Sequence, residues 1–245
     1  MLQVKAAENV VYIPAGEALV KKSSKMAGHG KALGRAMYFG DNRKLDRGPQ
    51  AFLVDYGPYF RIDPHFHVVD QFQLFSRGQA TIGKHTAVPV TVHYADAFTP
   101  YGPIVGGDDG FAFLNFRPRA DIGAHLMPGS KDEMARRAGR GLTQTTRLGL
   151  GDGSSTASLR VESLIDRYDD GLFATEIVAR AGVRLPNEIV DGACRYELVL
   201  DGVLLLGNRQ LAKNSAIVAN GGDVLEHRRA GPDGLHLLQV QLPHA

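Results

Sequence analysis

Asp109-Gly110-Phe111-Ala112-Phe113-Leu114-Asn115-Phe116 returns later in the chain as Asp233-Gly234-Leu235-His236-Leu237-Leu238-Gln239-Val240. The two stretches lie 124 residues apart, and the same spacing carries Gly78 to Gly202 and Gly83 to Gly207. A constant offset held over more than thirty residues, with glycines at both ends, is hard to produce by chance in a chain of 245. Internal repetition fixes architecture before local structure does. The pattern predicts a duplicated β-domain in which one copy keeps chemistry and the other loses it.

Around these anchors most of the chain reads as short strands broken by glycine. Val10–Ile13, Ala51–Val54, Gln71–Phe75, Val88–Tyr94 and Phe111–Phe116 form the first set. Leu172–Ala179, Tyr196–Leu200, Val203–Leu206, Ser215–Val218 and Leu235–Val240 repeat it. Each is rich in Val, Ile, Phe and Tyr and flanked by turn residues, as all-β sandwiches and barrels require. The expected division is a first barrel with an N-terminal arm over residues 1–125, a linker over 126–158 and a second barrel over 159–245. Ser130-Lys-Asp-Glu133 reads as a capping box that opens a short helix ending near Gly139–Gly141. Gly149–Ser158 reads as the flexible part of the linker, and the basic, glycine-studded Lys21–Arg47 as an arm or surface loop. The glycine-rich run Val105–Gly110 reads as a turn between strands.

Composition narrows the classes of function. Apolar residues at 44% suffice for packed cores, and a net charge of +2 with scattered basic residues gives no reason to expect a nucleic-acid partner. Cys194 is the only cysteine, so no internal disulfide is available, and its apolar surroundings suggest an inert buried thiol. No apolar run approaches the roughly 18 residues of a membrane span, and no secretory signal is visible, so the expected compartment is the cytoplasm.

The chemistry concentrates at Pro64-His65-Phe66-His67-Val68-Val69-Asp70-Gln71, followed by Gly78. On a strand His65, His67 and Gln71 share one face, because side chains alternate. Two imidazoles and an amide oxygen on one face suit a divalent metal with positions left open. His93 is a further candidate ligand, since its counterpart Ile217 is apolar and points to an inward position. Gln73 and Tyr101 are candidate substrate-binding residues, and Phe75, Phe111 and Phe113 read as core. Asn115 and Arg117 share parity with Phe113 and match Gln239 and Gln241, a shared polarity expected of a strand end reaching solvent. Asp70, of the opposite parity, is a poor ligand. Phe72 and Leu74 occupy the face opposite Gln71 and Gln73, and that outward apolar face predicts cover from elsewhere in the chain or from a second subunit, hence a homodimer.

The spacing His65-x-His67, three residues, Gln71, six residues, Gly78 resembles the first motif of the cupin family, with Gln71 standing where glutamate is usual. Pro100-Tyr101-Gly102 resembles the start of the second motif, with Val105 in the place of its histidine. In the second copy Ile189, Asp191 and Arg195 replace the His, His and Gln of the first. The resemblance implies two jelly-roll barrels, a bicupin, with a degenerate second barrel. It further implies a divalent metal (Fe, Mn, Ni or Zn) in the first barrel and action on a small organic molecule as a dioxygenase, isomerase or hydrolase. The alternative is a small-ligand-binding or structural bicupin without a metal site. A neutral amide at Gln71 would hold a metal less tightly than a carboxylate, and Arg195 would oppose any cation in the second barrel.

Overall fold

A computed structural model describes residues 1–16, 28–40, 48–121, 123–134, 141–148 and 157–244. Its contacts divide the chain into two compact units, Val11–Arg147 and a second made of Met1–Val10 with Leu148–Ala245. Each unit is built on antiparallel strands of the same order. In the first, β1 (Gln50–Tyr56), β2 (Gln71–Ile82), β3 (Thr91–Ala95) and β4 (Ile104–Arg117) lie in the order β3-β2-β4-β1. In the second, β5 (Phe173–Ala179), β6 (Cys194–Leu206), β7 (Ala216–Asn220) and β8 (Arg228–Leu242) lie in the order β7-β6-β8-β5. The 124-residue offset therefore carries strand onto strand and neighbour onto neighbour. Both units are all-β jelly-roll barrels, as the duplicated pattern predicts.

The outer strands explain where the expected boundaries shift. Beyond β1 and β5 lie Ala32–Phe39 and Leu159–Ile165, neither of which the alternation pattern picked out. At the opposite edges, Thr143–Arg147 pairs with β3 and Gln3–Lys5 pairs with β7. The amino-terminal residues thus complete the second barrel, and the end of the supposed linker completes the first. An unpaired edge exposes a row of backbone donors and acceptors, and both barrels cover one with a strand borrowed from elsewhere in the sequence. The helix after Ser130 is short, Lys131–Met134, and Glu133 pairs with His125 Nδ1 at 2.7 Å, in place of the reciprocal cap expected with Ser130. Residues 135–140 and 149–156, and with them the expected helix end and most of the flexible linker, lie outside the described residues, as do 17–27 and 41–47 of the basic arm. Among the described residues no helix is long and apolar enough to cross a membrane.

The glycines that seemed to break strands bend them instead. Gly78 and Gly202 sit inside β2 and β6 at φ of 66° and 71°, opposite Phe111 and Leu235 respectively. Val105–Gly110, expected as a turn, is part of β4, with a bulge between Gly106 and Phe111. A Cβ at Gly78 would run into the Gly110 carbonyl, and one at Gly202 into that of Gly234. Either Gly→Ala substitution combines left-handed backbone strain with overpacking and should cost about 2–5 kcal/mol. Urea unfolding of Gly78→Ala and Gly202→Ala checks this; a change under about 1 kcal/mol would show that the bulge can relax.

The two cores differ in kind. Phe60, Phe75, Phe111 and Phe113, with Tyr101, fill the first barrel, whereas Ile177, Leu185, Val199, Leu204, Leu235 and Leu237 fill the second. Phe72 and Leu74 are 0% and 2% exposed within the single chain, so their apolar face needs no second subunit to cover it.

Candidate functional site

The site of the first barrel begins with a clamp between two loops. His65 and Tyr101 exchange backbone hydrogen bonds, His65 N to Tyr101 O at 3.1 Å and Tyr101 N to His65 O at 3.0 Å. This bridge brings the Tyr101 ring within 4.5 Å of the His65 ring, centroid to centroid. His65 Nδ1 lies 2.7 Å from the Asp63 carbonyl, which can only accept, so Nδ1 carries the proton and Nε2 is left as an acceptor. The Tyr101 hydroxyl, 2.9 Å from that Nε2, donates to it. Tyr101 in turn accepts from Gln71 Nε2 and, at 3.4 Å, from Gln73 Nε2. His65, Gln71, Gln73 and Tyr101 are all buried.

A second cluster abuts the first. His67 Nδ1 pairs with Asp121, whose carboxylate fixes the tautomer as the Asp63 carbonyl does for His65. Arg117, at the end of β4, reaches across this cluster. Its Nε donates to Gln71 Oε1 at 3.0 Å, its Nη2 lies 3.4 Å from His67 Nε2, and its Nη1 lies 3.8 Å from Asp121. Because a guanidinium only donates, the Gln71 oxygen must face Arg117 and its NH2 must face Tyr101.

Burial sets the protonation states. The His65 pKa is pushed down to about 4 and that of His67 to about 3, first by desolvation of the charged form, with Arg117 adding to both. Burial likewise raises the Tyr101 pKa. His67 and Arg117 hold the Asp121 carboxyl below the usual range, against the opposing effect of its burial. The site is therefore a pair of neutral imidazoles and a neutral phenol beside one Arg117–Asp121 ion pair.

The candidate residues divide accordingly. His65, His67, Gln71, Gln73 and Tyr101 converge. His93 packs its ring 5.0 Å from that of Tyr101, centroid to centroid, while its nitrogens bond outside the cluster: Nδ1 lies 2.9 Å from Thr145 Oγ1 and Nε2 lies 3.5 Å from Thr143 Oγ1. Both nitrogens of His93 thus turn to the edge strand Thr143–Arg147, and burial holds its pKa near 3. Val105 stands away from the site, paired with Arg61 and Thr81 on β4. The residue of that loop which enters is Tyr101, because the loop is bonded to His65 there. Asp70, as expected of its parity, turns away and accepts from Ala97 N at 3.2 Å. Arg117 was expected at a solvent-facing strand end; its side chain is only 8% exposed and central to the site.

The second barrel lacks the two histidines and the tyrosine but keeps one bond of the arrangement, with its two residues exchanged. Gln71 and Arg117 of the first correspond to Arg195 and Gln241 of the second, so arginine and glutamine have traded strands. The bond between them survives: Arg195 Nε donates to Gln241 Oε1 at 2.9 Å, against 3.0 Å in the first barrel. Each barrel thus carries one arginine–glutamine pair across its central strands.

No family model matches the chain, and no curated protein matches it in sequence. Solved structures do match over nearly its whole length. A cupin 2 conserved barrel domain protein from Leptotrichia buccalis superposes with a TM-score of 0.51 at 11% identity, covering 99% of this chain and 99% of that one. The bacterial pirin YhhW from Escherichia coli, in complex with nickel(II), gives 0.57 at 7% identity and covers 100% of both chains. This chain has the bicupin fold. Salicylate 1,2-dioxygenase from Pseudoaminobacter salicylatoxidans, in adducts with gentisate, gives 0.55 at 12% identity, over 98% of this chain and 82% of that one. Identities this low speak for the bicupin fold alone.

Membership of this fold raises the question of whether the residues present suit a metal. The two imidazoles do offer fixed Nε2 lone pairs. Yet Tyr101 occupies that of His65, and a guanidinium lies against that of His67. The one oxygen of Gln71 is turned to Arg117, leaving an N–H face toward Tyr101. Among the described residues no three His, Cys, Asp or Glu side chains converge as a metal-binding group. A cation placed here would meet a fixed positive charge and hydrogen-bond donors where it needs acceptors, so these side chains do not fit a metal as they stand.

Proposed function

We propose that this bicupin binds a small organic molecule at the first-barrel cluster without a metal, and that Arg117 supplies the positive charge that a metal supplies elsewhere. The position of the Arg117 guanidinium, bonded to Gln71 and lying 3.4 Å from His67 Nε2, carries this reading. A ligand hydroxyl or N–H group has a ready partner in Gln73 Oε1, a buried acceptor with no bonding partner. Tyr101, between Gln73 and His65, supplies a hydroxyl that can donate or accept at the same place. The competing reading is a metal-dependent dioxygenase, with His65, His67 and Gln71 as ligands after displacement of Arg117.

Elemental analysis of the purified protein separates them. The expected result is substoichiometric iron, manganese, nickel and zinc, unchanged in a His65→Ala/His67→Ala double variant. One metal per chain, lost in that variant, would replace the proposed function with the metal-dependent one.

A further inference from the structure

The second barrel, degenerate as a metal site, contains a cavity of about 280 Å³. Val161, Phe173 and Ile177 line its apolar side, and Thr175, Glu188 and Gln239 its polar side. Val161 is 54% exposed, so the cavity opens to solvent past the strand Leu159–Ile165. An engineered apolar cavity of roughly 150 Å³ takes benzene, so this one has room for a substituted ring.

Charge selects the class of occupant. Every charged group on the wall already has an opposite partner. Arg167, also on the wall, donates to both oxygens of Asp191 at 2.8 Å and lies over the Phe173 ring at 4.2 Å. Glu188 pairs with Arg195 and with Arg228. A charged ligand would arrive with no counter-ion left for it, and seating its charge against the apolar wall would cost hydration that no ion pair offsets. Hydrogen-bonding capacity, by contrast, is in surplus. On the wall itself, the Thr175 hydroxyl donates to Gln239 Oε1 at 3.2 Å and can still accept, and Gln239 donates one amide hydrogen to Glu197 Oε1 at 2.9 Å and has a second to give. One is an acceptor and the other a donor, and a hydroxyl complements both kinds.

We infer that the second barrel is a binding site for a small neutral molecule with an apolar ring and a hydroxyl group, such as a phenol. The ring packs against Phe173, Ile177 and Val161, and the hydroxyl faces Glu188 and Gln239. This site is separate from the first-barrel cluster and does not depend on how that cluster works.

Calorimetric titration with three probes of one size, 4-methylphenol, benzoate and benzylamine, tests it. 4-Methylphenol should bind one to one, with the anion and the cation each at least about tenfold weaker. Amide NMR shifts on binding should centre on Leu159–Ile165 and β5. Val161→Trp, at a half-exposed position on the cavity wall, should fill the cavity and weaken 4-methylphenol at least about tenfold. Equal or tighter binding of either ion overturns the neutral class. Binding unchanged in Val161→Trp, or shifts confined to the first barrel, overturns the location. Absence of 4-methylphenol binding at millimolar concentration overturns the site.

Discussion

Arg117→Met should lower stability by about 3–5 kcal/mol and, on the proposed reading, turn the first barrel into a metal site. The loss follows from what the guanidinium leaves behind. The Asp121 side chain is without solvent exposure, and removing one partner of a buried ion pair strands the other charge in a medium that solvates it poorly. His67 still donates to that carboxylate, and methionine keeps much of the contact with Phe52, over whose ring Arg117 lies at 5.2 Å. The gain of metal follows from the same removal. Gln71 Oε1 loses its donor, His67 Nε2 loses the cation beside it, and two imidazoles and an oxygen are released for a divalent ion. Urea unfolding reads the first effect, and calorimetric titration of wild type and variant with nickel(II) reads the second. Equal nickel affinity in the two proteins would show that the guanidinium excludes nothing.

The fold was largely legible because a duplication writes each barrel twice. The match of Phe111–Phe116 to Leu235–Val240 placed the second halves of β4 and β8, and Gly78 with Gly202 marked the same bend in β2 and β6. The outer strands were missed for a physical reason. Ala32–Phe39 and Leu159–Ile165 mix polar and apolar residues without clean alternation, and Gln3–Lys5 and Thr143–Arg147 acquire strand structure only by pairing with an edge distant in sequence.

The site was legible as far as the residue types His65, His67 and Gln71, but they do not share one strand: His65–Phe66 is a two-residue strand and Gln71 opens β2, so the bend between them brings them together. Tyr101 was visible as a turn residue, but its meeting with His65 depends on a loop closure that spacing cannot supply. Arg117 is the instructive omission. Its parity with Phe113 and its match to Gln241 were both in the sequence. What decides its role is register: β6 and β8 set Arg195 opposite Gln241, and β2 and β4 set Gln73 opposite Asn115, one step from Gln71 and Arg117. Once the strands are known to be neighbours, the exchange of arginine and glutamine between copies reads as one conserved bond.

The first barrel should also be acid-labile, and steeply so. His65, His67 and His93 are buried, and desolvation lowers their pKa values to about 4, 3 and 3, whereas an unfolded histidine titrates near 6.5. Between those limits the unfolded chain binds protons that the folded barrel refuses. Stability therefore holds above about pH 6.5 and falls as pH drops toward the folded values. Each histidine contributes about 1.4 kcal/mol per pH unit, so three together remove about 5 kcal/mol between pH 7 and pH 5, an amount comparable to the whole stability of many domains. Asp121, whose pKa is also lowered, acts in the same direction at still lower pH. Chemical unfolding followed by circular dichroism at several pH values should show that slope. His93→Leu should reduce it by about a third, because it removes one of the three buried histidines. A stability flat from pH 7 to pH 5 would mean that the imidazoles are hydrated or already charged in the folded protein. In that case the neutral donors and acceptors around Tyr101 would have to be reassigned.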